Sequence, residues 1–243
     1  MKLQVIGSSP AWPNPGGAHA GLLVSGAGSL LLDCGPGVLA RLRDRYSENG
    51  WPRVDAIAIT HFHLDHWGDL VPWVWGNSFG LGHDLPQPEL HVPPGGRDRL
   101  RGFGTDLGRD DMFESAFRVS EYEERTTFEA AGFRVTPLRV PHYRLDTYAF
   151  RVDDGEHLLC YSGDAAPCEA LVDAARDADL FVCEATLSRG ELDGTPRGHL
   201  DADEAIDAFR RSGARRLLLT HRPAEFPQPD GVEVAYDGFE VDL

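Results

Sequence analysis

Four side chains able to hold a metal fall within the six residues 61–66 of Thr60-His61-Phe62-His63-Leu64-Asp65-His66, directly after an apolar run. Imidazole and carboxylate together suit zinc, iron or manganese. On extended backbone, side chains two apart share a face, so His61 and His63 point the same way. Asp65 and His66 open the next turn and face a second position. One such cluster can serve two metals, and two cations held close together suit hydrolysis. They lower the pKa of water towards about 7 and neutralise charge on the oxygens of a scissile group. A lone His-x-His would carry little weight, because histidine-rich surface loops arise by chance.

The elements that must position these residues decide the matter. Residues 54–60 read as a buried strand, and Trp67-Gly68-Asp69-Leu70 opens a helical stretch. Three further ligand candidates each close an apolar strand: His142, Asp164 after Leu158-Leu159-Cys160-Tyr161-Ser162-Gly163, and His221 after Leu217-Leu218-Leu219-Thr220. Convergence at strand ends is how open α/β sheets build sites. Further strands are expected over 2–6, 21–25, 29–33, 133–140, 147–152, 157–161, 180–183 and 216–220, with Asp153-Asp154-Gly155 turning a hairpin. Helices are expected over 36–46, with Val38, Leu39 and Leu42 on one face, and over 167–176 and 201–211. The Gly-, Pro-, Asp- and Arg-rich stretch 76–115 reads as a surface excursion rather than a lid.

The length of 243 residues and an apolar content of 42% fit a single globular domain over 1–243. No stretch approaches the roughly twenty apolar residues of a membrane span, and the N-terminal residues lack a signal-peptide core. A soluble, cytoplasmic protein is expected. Cys34, Cys160, Cys168 and Cys183 sit at irregular spacing in or beside apolar segments and read as reduced packing residues; a ligand role for Cys34 is the weaker alternative. Net charge is −16, with one lysine. Such a balance repels polyanions, and the arginine clusters at 41–45, 97–101 and 210–216 read as solvated faces rather than a phosphate-binding patch.

The order T-H-F-H-L-D-H, then His142, Asp164 and His221, resembles the metallo-β-lactamase-fold hydrolases along the whole chain. Gly7-Ser8-Ser9-Pro10, Leu32-Asp33-Cys34-Gly35-Pro36-Gly37, Tyr161-Ser162-Gly163-Asp164 and Gly198-His199-Leu200 bring it closest to the ribonuclease Z and cyclic-nucleotide phosphodiesterase branch. The resemblance implies a four-layer αββα sandwich in the mixed α/β (α+β) class. It implies two divalent ions, zinc first with manganese or iron as alternatives. One would be held by His61, His63 and His142, the other by Asp65, His66 and His221, with Asp164 bridging. Two departures stand out. Ala165 replaces the threonine usual in this branch, so no hydroxyl supports Asp164, and no long Gly/Pro-rich insertion forms a tRNA-gripping arm.

Around the ligands, Asp65 is expected to orient or deprotonate the attacking water. His199 precedes a helix start marked by the capping-box spacing of Asp201 and Glu204. It is expected, with backbone amides at that helix end, to contact a phosphate or protonate a leaving group. Asp33 and Glu184 end apolar strands and are expected to orient a ligand histidine. His19 is expected to line the pocket and bind substrate, while His83, His91 and His157 read as surface residues. The function expected is metal-dependent hydrolysis of a small phosphodiester such as a cyclic nucleotide. Ribonuclease Z activity is the runner-up, followed by lactone or carboxylic-ester hydrolysis and then a non-catalytic metal-binding module. The expected partner is a small-molecule phosphodiester, not a large nucleic acid or a membrane, with a homodimer left open.

Overall fold

The structure, a computed structural model, describes residues 1–45, 47, 48 and 50–243, without side chains at 47 and 48. Strands β1 (Lys2–Gly7), β2 (Gly21–Ser25) and β3 (Ser29–Leu32) lead into helix α1 (Val38–Arg45), the short strands β4 (Ser47–Glu48) and β5 (Trp51–Pro52), and β6 (Ala56–Ala58). Helices α2 (Leu64–Trp67) and α3 (Leu70–Phe79) precede β7 (Glu89–Val92), α4 (Gly96–Asp106), β8 (Arg118–Glu121) and β9 (Phe128–Ala130). Then come β10 (Phe133–His142), β11 (Leu145–Asp153), β12 (Leu158–Tyr161), α5 (Glu169–Ala174) and β13 (Leu180–Glu184). A 3-10 turn at Gly190–Leu192, α6 (Ala202–Ser212), β14 (Leu217–Thr220), β15 (Glu233–Val234) and β16 (Glu240–Asp242) complete the chain.

Two mixed seven-stranded sheets result, ordered β16-β1-β2-β3-β6-β7-β8 and β15-β14-β13-β12-β11-β10-β9. Their facing follows from alternation along each strand. Leu22, Val24, Leu30 and Leu32 from the first sheet meet Phe133, Val135, Phe150, Val152 and Leu159 from the second in one buried layer. The intervening residues point outward: Leu23, Leu31 and Ile57 onto α1, α3 and α4, and Phe181 and Leu219 onto α5 and α6. This is the αββα sandwich expected from the sequence.

Several boundaries differ from those expected. The strand expected over 54–60 spans Ala56–Ala58; Ile59 N–H still donates to His91 O of β7 at 2.9 Å, and Thr60 N–H turns to Asp33 Oδ1 at 2.8 Å ahead of His61. The helix expected to reach Tyr46 is described to Arg45, and position 46 lies outside the described residues. Stretch 76–115 is not an excursion: it holds the end of α3, all of β7 and all of α4, packed on the first sheet. Its Gly and Pro content hid a four-residue strand and a helix with only three buried positions. His91 is not a surface residue. It lies in β7, 9% exposed, with Nδ1 bonded to Ser120 Oγ at 3.0 Å and its ring stacked on Phe128. The arginine clusters face solvent and pair with acids there, Arg97 and Arg101 with Glu114, Arg215 with Asp179, and Arg216 with Glu233.

Strands β3, β6, β7 and β8 run parallel, as do β12, β13, β14 and β15. The loops after β3, β6, β12, β13 and β14 carry the candidate site. They are threaded closely: Cys34 N–H donates to His66 O at 2.7 Å, and Asp69 N–H to Cys34 O at 3.0 Å. A Cβ on Gly35 would overlap the Asp65 carbonyl and press on His19 Cβ at 2.7 Å. Gly35→Ala is therefore expected to cost about 1–3 kcal/mol, as overpacking does, and to displace the 61–66 segment. Thermal unfolding and metal content read together check this; a variant unchanged in both would show that the loop yields freely.

Candidate metal centre

The seven expected ligand residues converge. His61, His63, His142 and Asp164 form one group, and Asp65, His66, Asp164 and His221 another, the candidate ligand atoms in each lying within 4.8 Å of one another. Their positions follow from the chain. His142 is the last residue of β10, and His221 directly follows β14 with φ 52, a left-handed conformation rare outside glycine. Gly163, φ 56, turns the chain after β12 so that Asp164 faces the cluster; a Cβ there would meet Tyr148 O at 3.0 Å and Thr60 Cβ at 3.2 Å.

Asp164 sits between the two groups. Its Oδ1 is 3.2 Å from His66 Nε2 and 3.6 Å from His221 Nε2; its Oδ2 is 3.7 Å from His61 Nε2 and 3.8 Å from His142 Nε2. His142 Nε2 and His63 Nδ1 face each other at 2.9 Å. Buried His61 Nε2, His66 Nε2 and Asp164 Oδ1 have no hydrogen-bond partner. Orphaned polar atoms of that kind are costly in a protein interior and mark a missing partner. Nitrogen and carboxylate oxygen aimed at shared points fit two divalent cations, so the donor set passes the test that the sequence set for it.

The opposite ring nitrogens are occupied, which fixes which nitrogen faces inward. His66 Nδ1 bonds to Asp33 Oδ2 at 2.7 Å, His142 Nδ1 to Gly198 O at 2.6 Å, His61 Nδ1 to Thr60 Oγ1 at 3.0 Å, and His221 Nδ1 to Thr186 Oγ1 at 2.8 Å. Asp33, φ 60 and fully buried, also accepts from Thr60 N at 2.8 Å and from the Tyr161 hydroxyl at 2.9 Å. It was expected to orient a ligand histidine, and the ring it meets is that of the ligand candidate His66. Glu184 differs from the expectation. Its Oε1 takes His199 Nδ1 at 2.9 Å and its Oε2 takes Thr186 Oγ1 at 2.7 Å, so its hydrogen bonds reach the ligand candidate His221 only through Thr186. Asp33→Ala is expected to lower metal affinity about 10- to 100-fold while the fold persists, as loss of such a partner does. Metal titration of the refolded variant measures this, and wild-type affinity would remove Asp33 from the site.

Charge separates the residues further. Burial alone would push the Asp164 carboxyl up, yet His221 and His66 beside it hold it well below the usual carboxylate range. Asp65 behaves alike: burial raises it, and His66 and His221 bring it well down. Burial and then His66 hold His61 well below the usual imidazole range, so it stays neutral and available as a ligand. Burial also lowers His199, but Glu184 more than reverses this and lifts it to about 9.

Other expected residues fall as follows. His19 is half-buried, its Nδ1 2.9 Å from Pro10 O, and close enough to Asp65, His221 and His66 to feel their charge. Cys34 lies in the buried apolar layer under α1, outside both ligand groups, and burial pushes its thiol well up. Ala165 carries no hydroxyl, but its N–H donates to Glu184 Oε1 at 2.8 Å. At the start of α6, where an anion site was expected, the capping box forms. Asp201 Oδ1 accepts Glu204 N–H at 2.9 Å and Glu204 returns the bond, while Asp193 Oδ2 takes the amides of Gly198 and His199. Thr60, Thr186, Tyr161 and Asp193 were missed; hydroxyls beside apolar strand ends were the only local signal for the first three.

Comparison with known proteins follows the same lines. The profile of the Beta-lactamase superfamily domain matches residues 29–222, which include all seven ligand candidates. The chain is 30% identical over 226 residues to the probable metallo-hydrolase YhfI of Bacillus subtilis, covering 92% of this chain and 87% of that protein. It is 30% identical over 310 residues to Ribonuclease Z of Myxococcus xanthus, covering 100% of this chain and 98% of the relative. That alignment is longer than this chain, so the relative carries residues with no counterpart here. The crystal structure of the metallo-beta-lactamase fold protein YhfI from Bacillus subtilis superposes with a TM-score of 0.84 at 25% identity, over 99% of both chains. The fold, the buried His/Asp cluster and these relatives agree, and the chain belongs to the β-lactamase superfamily domain family as a metal-dependent hydrolase of the metallo-β-lactamase fold.

Proposed function

We propose that the protein is a dinuclear phosphodiesterase acting on a small phosphodiester such as a cyclic nucleotide. The observation that carries this reading is His199 beside the ligand cluster. Its ring centroid is 4.8 Å from that of His142 and 5.9 Å from that of His221, and Glu184 holds Nδ1. Nε2 is then the nitrogen free to deliver a proton. Cleavage of an alkyl phosphodiester needs such a donor, because the leaving alkoxide is a poor one.

His61, His63, His142 and Asp164 would hold one cation, and Asp65, His66, His221 and Asp164 the other. When bound, zinc, manganese or iron supplies Lewis acidity and an activated water for hydrolysis. Asp65 is the ligand candidate of the second group with most access to solvent, its side chain 10% exposed against 0–2% for His66, Asp164 and His221. Kept ionised by His66 and His221, it can orient or accept a proton from the attacking water. His19 lines the same side and contributes to substrate binding.

The relationship to a ribonuclease supports a phosphodiester over a lactone. The charge of −16 and the residues lacking relative to that ribonuclease favour a small substrate over RNA. A panel of bis(p-nitrophenyl) phosphate, 3′,5′-cyclic nucleotides, precursor tRNA and chromogenic lactones, run on protein loaded in turn with zinc, manganese and iron, tests the reading. Turnover of phosphodiesters is expected. Turnover of lactones alone would overturn it, and efficient cleavage of precursor tRNA would move the assignment to a ribonuclease Z.

A further inference from the structure

Tyr143 occupies a position that its side chain does not favour. His142 and Leu145 are the closing pair of the β10–β11 hairpin, so Tyr143 and Arg144 form a two-residue turn. Tyr143 has φ 48. Glycine and asparagine accept such a conformation readily, whereas a bulky residue there is an outlier, with a cost on the order of 1–3 kcal/mol. The residue is 41% exposed, so apolar burial offsets that cost only in part.

What Tyr143 does is hold one loop. Its N–H donates to Arg197 O at 3.0 Å, and burial and then the charge of the neighbouring Asp193 carboxylate push its hydroxyl up to about 12. Its ring lies so close to Gly198 that a Cβ there would overlap it. Asp193 Oδ2 in turn accepts the amides of Gly198 at 2.7 Å and His199 at 3.0 Å. The Tyr143 ring also meets the His199 ring edge-on, centroids 5.6 Å apart at 80°. Gly198 O receives His142 Nδ1, which ties the loop back to a ligand candidate. Contacts from a single residue thus converge on the two residues that set where His199 stands.

The geometry points to Tyr143 as a positioning residue for the His199 acid: it fixes the imidazole relative to the leaving oxygen without itself contacting substrate. This rests on the reading of His199 as a leaving-group acid. Gly198 is part of the same device, since only glycine leaves room for the ring.

Kinetics on the metal-loaded protein with methyl aryl phosphates of graded phenol pKa test it, comparing wild type, Tyr143→Phe, Tyr143→Ala and His199→Ala. Tyr143→Ala is expected to keep both metals and its KM but to lose kcat by about 10- to 100-fold on the poorest leaving groups, the scale of a misplaced catalytic group. It should lose little on p-nitrophenolate, so the dependence of rate on leaving-group pKa steepens. Tyr143→Phe keeps the ring over Gly198, loses the hydroxyl beside Asp193 and should fall between. A uniform loss across the series, with lower metal content or thermal stability, would make Tyr143 a turn residue only and overturn the inference, as would wild-type behaviour. If His199→Ala steepens the dependence and Tyr143→Ala does not, the positioning role alone fails. If His199→Ala leaves the slope unchanged, the acid assignment fails and takes the positioning role with it.

Discussion

Asp164→Asn should remove the protein's ability to hold two cations and lower turnover by about 10³-fold or more, several kcal/mol of lost transition-state stabilisation. Asparagine keeps the shape and takes away the charge. Asp164 is 1% exposed, and its two oxygens face different histidine pairs, Oδ1 towards His66 and His221 and Oδ2 towards His61 and His142. No other carboxylate belongs to both ligand groups. With the amide there, two divalent charges would share a buried cluster whose remaining acid is Asp65. Elemental analysis of wild type should give about two ions per chain, and of the variant one or none. Two ions retained at near-wild-type rate would place the bridge on another group. Asp65→Ala is the milder counterpart, since it removes a ligand candidate from one group only.

His199→Ala is expected to retain both metals and lose about 10²–10⁴ in kcat on alkyl phosphodiesters, the usual span for acid catalysis. The loss should shrink on p-nitrophenyl esters, whose leaving group needs no proton. The pH dependence has a definite sign. Glu184 lifts His199 to about 9, so the imidazolium is present at neutral pH and is lost as pH rises through that value. Cations in the neighbouring groups would draw it down, towards the operating pH. The rate on alkyl substrates should therefore fall on an alkaline limb that p-nitrophenyl substrates lack. Glu184→Gln should move that limb to lower pH, because it removes the charge that stabilises the protonated ring. An alkaline limb shared by both substrate types would assign it to another group.

Sequence was enough to pick out the seven ligand candidates because His142, Asp164 and His221 sit at or just past the ends of apolar strands, which are legible from periodicity, and the 61–66 run follows another strand into α2. The same alternation separates Leu22 and Val24, which face the other sheet, from Leu23, which faces the helices. The sandwich was legible through the resemblance to the metallo-β-lactamase-fold hydrolases. Sequence failed where local composition and tertiary environment disagree: β7 and α4 lie in a Gly- and Pro-rich stretch, and His91 is buried by the stacking of Phe128, a residue distant in the chain. The inner shell of hydrogen bonds was only partly legible. Asp33 and Glu184 announced themselves as acids at strand ends, but which histidine each would take depends on loops meeting across the two sheets. Asp33 reaches His66, 33 residues away, and is held by Tyr161, 128 residues away. Glu184 turned to His199 because Thr186 stands between it and His221. The ligand candidates were thus written in residue type and strand position, whereas the orientation of each ring and the placing of His199 were decided by contacts that exist only once the two halves have packed.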